Sequence, residues 1–215
     1  RCLNRQFLIE NHTQMYKVFF NQKLILLTTD IISPKEDSPF FYVKFTNKKF
    51  VVQMLKSKKV KMLYLYHSKE DKLWYYFLNM FKLIEAAGGL VRNLKTNHFL
   101  FIFRNKKWDL PKGRINKNEG VQKAAIREVE EETGVENLSI TKPLNTTFHI
   151  FKRNRKHRLK KTFWYLMETD YIGELTPETK EGIEKAIWIE KKLIVSLRSE
   201  MYQNINLVIS NHLNK

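Results

Sequence analysis

Between residues 108 and 135 the chain reads Trp108-Asp109-Leu110-Pro111-Lys112-Gly113-Arg114-Ile115-Asn116-Lys117-Asn118-Glu119-Gly120-Val121-Gln122-Lys123-Ala124-Ala125-Ile126-Arg127-Glu128-Val129-Glu130-Glu131-Glu132-Thr133-Gly134-Val135. Pro111 and Gly113 interrupt regular structure, and Asn116-Lys117-Asn118 makes a loop ahead of a helix expected from Gly120 to Thr133, with Gly134 just past its end. At about 100° per residue, Val121, Ala124, Ala125 and Val129 share a stripe roughly 140° wide, and Glu128, Glu131 and Glu132 fall on or beside it. A solvated acidic face with an Arg127–Glu131 pair at i+4 is the bland explanation. It accounts for too little. Like charges three or four residues apart repel by roughly a few tenths of a kcal/mol per pair, and glutamates are disfavoured in a last helical turn. A divalent cation resolves the repulsion, and an incomplete carboxylate cage suits Mg²⁺, which keeps waters and shares its shell with substrate phosphates.

Outward from this segment, residues 86–91 and 99–103 alternate as two strands joined by Arg92 to His98. Downstream, strands are expected at 138–140, 146–151, 162–169 and 186–189. Leu193, Leu197 and Met201 recur at helical spacing and predict a closing helix. These elements form one domain over residues 83–215. Before it, residues 15–82 read as a small α/β domain: a hairpin about Asn21-Gln22, an extended piece at 40–45, a helix near 47–57, a β-rich stretch at 60–66, and a helix through Met80 with Ser68 as its N-cap. His12 and His67 are expected to be surface or capping residues, and residues 1–14 a loose tail. The chain opens on Arg1 rather than Met, which reads as a fragment or an over-extended start, with Met15 as a candidate initiator.

The whole chain has 215 residues, 43% hydrophobic and 13% aromatic, enough for a sizeable core and too apolar for intrinsic disorder. No apolar run approaches the ~20 residues of a membrane span. Cys2 is the only cysteine, which excludes an intrachain disulfide and a Cys-rich metal site and points to a cytoplasmic, reducing setting. The net charge of +17 favours phosphate-bearing partners, nucleic acids or anionic surfaces. Seven lysines lie in residues 44–61 and nine Lys, Arg or His in residues 149–161, neither stretch holding an acid.

At every fixed position the 113–135 segment resembles the Nudix hydrolase box, G-x5-E-x7-R-E-U-x-E-E-x-G-U with U apolar: Gly113, Glu119, Arg127, Glu128, Val129, Glu131, Glu132, Gly134 and Val135. The resemblance implies an α/β/α sandwich with a mixed sheet and hydrolysis of a nucleoside diphosphate joined to another moiety, with Mg²⁺ or Mn²⁺. Carried over, Glu128, Glu131 and Glu132 become metal ligands, with Glu128 and Glu131 also catalytic and the Lys112 carbonyl as a further oxygen. Gly113, Glu119, Arg127 and Gly134 become structural. The general base is left open between a box glutamate and Glu178, Glu181 or Glu184. Pro111-Lys112-Gly113 looks like the corresponding turn of diadenosine polyphosphate hydrolases, and Lys156-His157-Arg158 resembles a segment of diphosphoinositol polyphosphate phosphohydrolases. Lys112, Arg158 and Lys161 are therefore the expected substrate-binding residues, the last two on a loop leading into a strand. The expected partner is a small phosphate-rich anion, not a membrane, with oligomeric state open. A non-catalytic nucleotide sensor and an RNA 5′-end pyrophosphohydrolase are the competing readings; no RNA-binding aromatic motif supports the latter in the linear sequence.

Overall fold

The computed structural model describes residues 15–213; the expected tail at 1–14, with Cys2 and His12, lies outside the described residues. In chain order the elements are β1 (Met15–Phe20), β2 (Lys23–Thr28), β3 (Phe40–Tyr42), α1 (Lys48–Lys56), β4 (Met62–Tyr66), α2 (Glu70–Met80), β5 (Leu83–Asn93), β6 (His98–Arg104), β7 (Lys107–Asp109), β8 (Lys112–Arg114), α3 (Val121–Thr133), β9 (Ser139–Pro143), β10 (Thr147–Arg153), β11 (Lys156–Thr169), β12 (Ile183–Glu190), α4 (Lys191–Ile194) and α5 (Gln203–Leu213). They fall into two compact units, 15–17 with 25–80, and 18–24 with 81–213. Residues 18–24, expected in the first domain, thus belong with the second. The reason is a parallel pairing of Val18–Phe20 with Phe148–Ile150 of β10, which no local pattern announces. No helix among the described residues is long and apolar enough to cross a membrane.

In the first unit β4 lies between β3 and β2, with β3 parallel to it. Asn47 caps α1 by accepting the Phe50 N–H at 3.0 Å, and Val51, Val52 and Leu55 are its buried face. Ahead of α2 the acceptor is His67 rather than Ser68: its Nδ1 accepts the Lys69 N–H at 3.0 Å, and its Nε2 meets the Tyr42 hydroxyl at 3.0 Å. His67 is therefore a capping residue.

The second unit is built on a mixed sheet ordered β12-β6-β5-β11-β10 and then the Val18–Phe20 part of β1, with β7, β8 and β9 beside β6, β5 and β11. Alternation along its strands sorts side chains to two faces. Ala87, Val91, Leu100, Tyr165 and Met167 pack on Ala124, Ala125 and Val129 of α3. Leu90, Phe99, Phe101 and Trp164 pack on Ile205, Val208 and Ile209 of α5. Helices thus cover both faces, and the expected α/β/α sandwich with a mixed sheet is the fold found.

Two local expectations give way. The closing helix does not run through 193–201: α4 stops at Ile194, and Met201 is extended (φ −100°, ψ 159°) and bridges Trp108. Leu193 is half exposed, and the buried i, i+3, i+4 stripe is Ile205, Val208 and Ile209 in α5. Nor is the basic stretch a loop. Asn154 and Arg155, both at positive φ, form a two-residue turn, so the cations on either side sit in β10 and β11.

Candidate active site

The segment 112–135 folds as β8, a loop and α3, and Arg127 is its hub. Its Nε and Nη2 donate to Glu119 at 2.7 and 2.8 Å, and Nη2 also donates to the Arg114 carbonyl at 3.1 Å. These bonds and the Asn116 N–H hold the Glu119 carboxyl at about 2, and the same hydrogen bonds push Arg127 above its ordinary value. Gly134, at φ 70°, ends the helix and returns its N–H to the Glu130 carbonyl at 2.7 Å.

Arg127 Nη1 donates to both Glu128 Oε1 at 2.8 Å and Glu131 Oε2 at 2.7 Å. Two carboxylates therefore converge on one cationic atom. Burial raises the Glu128 carboxyl above its ordinary value; Arg127 opposes this, while Glu131 and Glu181 add to it. Of the later acids, Glu181 is thus felt at Glu128, whereas the Glu178 N–H donates to the Glu132 carbonyl at 3.2 Å and Glu184 is exposed on β12. Gly113 makes room for Glu128: a Cβ there would lie 1.5 Å from Glu128 Oε2.

Glu132, 1% exposed, is turned elsewhere. It accepts the Lys112 backbone N–H at 2.7 Å and lies 3.4 Å from Arg104 Nη1. Arg104 also donates to Asp109 at 3.0 Å, and Lys112 Nζ donates to Asp109 at 2.6 Å and to the Leu110 carbonyl at 3.2 Å. Burial alone would raise Asp109, but Lys112 and Arg104 hold it at about 2; burial, with Arg104 next to it, lowers Lys112. Burial likewise raises Glu132, with Lys112 and Arg104 opposing. Among the described residues no three His, Cys, Asp or Glu side chains form a metal cage. The donor set still fits Mg²⁺: Glu128 and Glu131 offer hard oxygens to a point already filled by a cation, and Gly113 leaves the Glu128 carboxylate space. Glu132, in the same turn, anchors the loop.

Beside this network is a cavity of about 310 Å³ whose lining includes Arg104, Asp109, Lys112, His149, Lys160 and Tyr202. Lys160 lies 5.1 Å from the Phe151 ring centre and makes no ion pair among the described residues. Burial lowers it, as it does His149, which falls to about 3 with Lys160 and Lys112 pushing the same way. His149 is therefore neutral, with a buried Nδ1 that has no hydrogen-bond partner. The expected Arg158 and Lys161 are not brought to this cavity. Lys161 lies on the other face of β11, 3.7 Å from Glu85 and over the Phe163 ring. Arg158 lines a separate cleft of about 640 Å³ with Lys82, Arg114 and Arg153. Arg104, Asp109, His149 and Lys160 escaped the sequence reading. Lys160 alone carried a partial signal, sharing strand parity with Thr162 and Trp164, both buried, but Arg158 has the same parity and lines the other cleft.

A family model for the NUDIX domain matches residues 82–207, more than half of the chain. Among curated proteins, an RNA pyrophosphohydrolase of Bartonella clarridgeiae is 27% identical over 141 residues, covering 56% of this chain and 80% of the relative. That of Bartonella bacilliformis is 24% identical over 139 residues, with 56% and 82% covered. Among solved structures, a C. elegans Ap4A hydrolase aligns at TM-score 0.45 and 20% identity over 59% of this chain and 92% of its own. The E. coli dihydroneopterin triphosphate pyrophosphohydrolase aligns at 0.49 and 13%, over 60% and 94%. With every fixed box position in place on β8, the loop and α3, and a family match over most of the second unit, this chain belongs to the Nudix family.

Proposed function

We propose that this chain is a cytoplasmic, Mg²⁺-dependent pyrophosphohydrolase that cleaves a phosphate-rich nucleotide, a dinucleoside polyphosphate in the first instance, with Mn²⁺ as the alternative ion. At the level of the family, the reaction is hydrolysis of a phosphoric anhydride bond. The observation that carries the metal is the convergence of Glu128 and Glu131 on one cationic position. When bound there, Mg²⁺ would neutralise phosphate oxygens and acidify the attacking water. The chain's own side chains do the rest. Glu119 fixes Arg127, Arg127 orders Glu128 and Glu131, and Glu132 ties the Lys112 loop to α3. Lys160 and Lys112 supply the cavity with positive charge for a polyphosphate, and Glu128 and Glu181 are the acceptors available for the water's proton. The intact box acids speak against a sensor that has given up catalysis. An RNA 5′-end substrate is the second reading, supported by the +17 charge and by the activity named for the Bartonella relatives.

A hydrolysis screen with Mg²⁺ across dinucleoside polyphosphates, nucleotide sugars, nucleoside triphosphates, capped RNA and inositol pyrophosphates, with products identified, tests the substrate. Glu131→Gln should lower kcat at least ~10²-fold with the fold intact. It should also abolish the rise in melting temperature that Mg²⁺ gives the wild type, because the ion binds only the folded state. Activity within threefold of wild type, or no metal-dependent rise, would sink the proposal.

A further inference from the structure

The unit of residues 25–80 carries a surface that hydrolysis leaves unused. Parallel pairing of β3 with β4 sets Tyr42 beside Tyr66, their ring centres 5.8 Å apart. Alternation places Leu63 and Leu65, both fully buried, on the opposite side of β4 from Tyr66. The tight turn after β3 brings Phe45 to 5.3 Å from Tyr42, and His67 stacks on Tyr42 at 5.0 Å. Tyr76 of α2 then stacks on His67 at 5.8 Å, and Tyr75 meets Tyr76 at 5.3 Å. Six rings from three separate stretches of sequence thus make one ladder.

A core cluster of this size would be hidden. Here both ends are open, Phe45 being 81% exposed and Tyr75 58%. An exposed ring at each end of one contiguous ladder offers two apolar faces to a ligand. Each open ring carries a cation: Lys44 Nζ is 5.9 Å from the Phe45 centre and Lys72 Nζ 5.7 Å from the Tyr75 centre. The lysine-rich run 44–61 around Phe45 holds no acid. The nearby acids are partly spent, since Asp37 pairs with Lys61 at 2.9 Å and Glu70 accepts the Tyr16 hydroxyl. Open ring faces beside ammonium groups match the bases and phosphates of an unpaired strand, because every base has a π-face and every nucleotide a charge. Four of the six rings are tyrosines, and with the Tyr42 hydroxyl engaged by His67, those of Tyr66, Tyr75 and Tyr76 can exchange hydrogen bonds with ribose 2′-hydroxyls. We infer that this face binds single-stranded RNA, bases stacking on Phe45 and Tyr75 and backbone phosphates held by Lys44 and Lys72.

The test uses the full chain and fluorescence anisotropy of a labelled oligouridylate of roughly twelve nucleotides, within the usual site-size range. Its 5′ end is a hydroxyl, so the probe has no anhydride to cleave and the result stands apart from the hydrolase proposal. Phe45→Ala with Tyr75→Ala should raise Kd at least tenfold without changing its salt dependence. Lys44→Ala with Lys72→Ala should weaken binding and reduce the slope of log K against log salt by about 1.4, two phosphate contacts at roughly 0.7 each. Both pairs are surface side chains, and circular dichroism checks the fold. Hydrolysis of a small dinucleoside polyphosphate should be unchanged in both variants. The inference is overturned if the ring variant binds within twofold of wild type, or if duplex RNA or DNA of matching sequence binds as tightly. It is equally overturned if the rings prove instead to hold a dimer in sedimentation or to bind anionic vesicles.

Discussion

Gly113→Ala separates the chemistry of the site from the stability of the fold. An added Cβ would lie 1.5 Å from Oε2, 2.2 Å from Cδ and 2.7 Å from Oε1 of Glu128, where ordinary contacts begin near 3.4 Å, so the carboxylate must retreat by about 2 Å. The obstacle is the end of a flexible side chain, and Gly113 is not at positive φ, so the backbone tolerates alanine. The folding cost is then the strained or lost Arg127–Glu128 pair, about 1 kcal/mol, which moves the melting temperature of a chain this long by roughly 2–4 °C. Catalysis is far less forgiving, since a reacting group displaced by about 1 Å can cost ~10²-fold. We expect kcat to fall at least ~100-fold, or about 2.7 kcal/mol in the barrier, with the melting temperature nearly held. Steady-state product release at saturating Mg²⁺ and a thermal scan read the two quantities. A kcat within threefold of wild type would show that the position of Glu128 does not matter to the reaction. A fall of 10 °C or so would show that the substitution reaches beyond one side chain.

Lys160→Met should raise KM about tenfold or more with kcat within twofold, the signature of a phosphate contact made equally in ground and transition states, whereas Lys161→Met, already paired with Glu85, should change KM less than about twofold. Equal effects would mean that the overall field recruits the substrate. Asp109→Asn removes the carboxylate paired with buried Lys112 and leaves Arg104 with Glu132, and should cost about 3–5 kcal/mol near neutral pH, read by urea unfolding. The Asp109 carboxyl is held at about 2, below its ordinary 3.8, so its stabilisation is complete above pH 4 and is lost as pH falls toward 2. Wild type should therefore lose about 2 kcal/mol over that range that the Asn variant does not, and parallel pH curves for the two would refute the buried pair.

The linear sequence determined what depends on neighbours a few residues apart. Helical spacing put Ala124, Ala125 and Val129 on one buried stripe with carboxylates beside it; α3 ends at Gly134, and strand alternation located β5, β6 and most of β11. The box identified the family because its nine positions lie within 23 consecutive residues running from β8 through α3 to Val135, where sequence distance and spatial distance nearly coincide. Tertiary structure decided what depends on pairing between distant segments. Spacing alone placed Glu128, Glu131 and Glu132 together, but Lys112 and Arg104 draw Glu132 aside, and that needs β6 and β8 in place. Likewise, β1 reaching β10 assigned residues 18–24 to the second unit, and the extended Met201 against Trp108 ended the expected closing helix. The half-buried Lys160 and the aromatic ladder have the same origin. A side chain's exposure and charge partners follow from strand register and from which elements pack across it, and these are set by contacts whose entropy of closure and burial no local run of residues records.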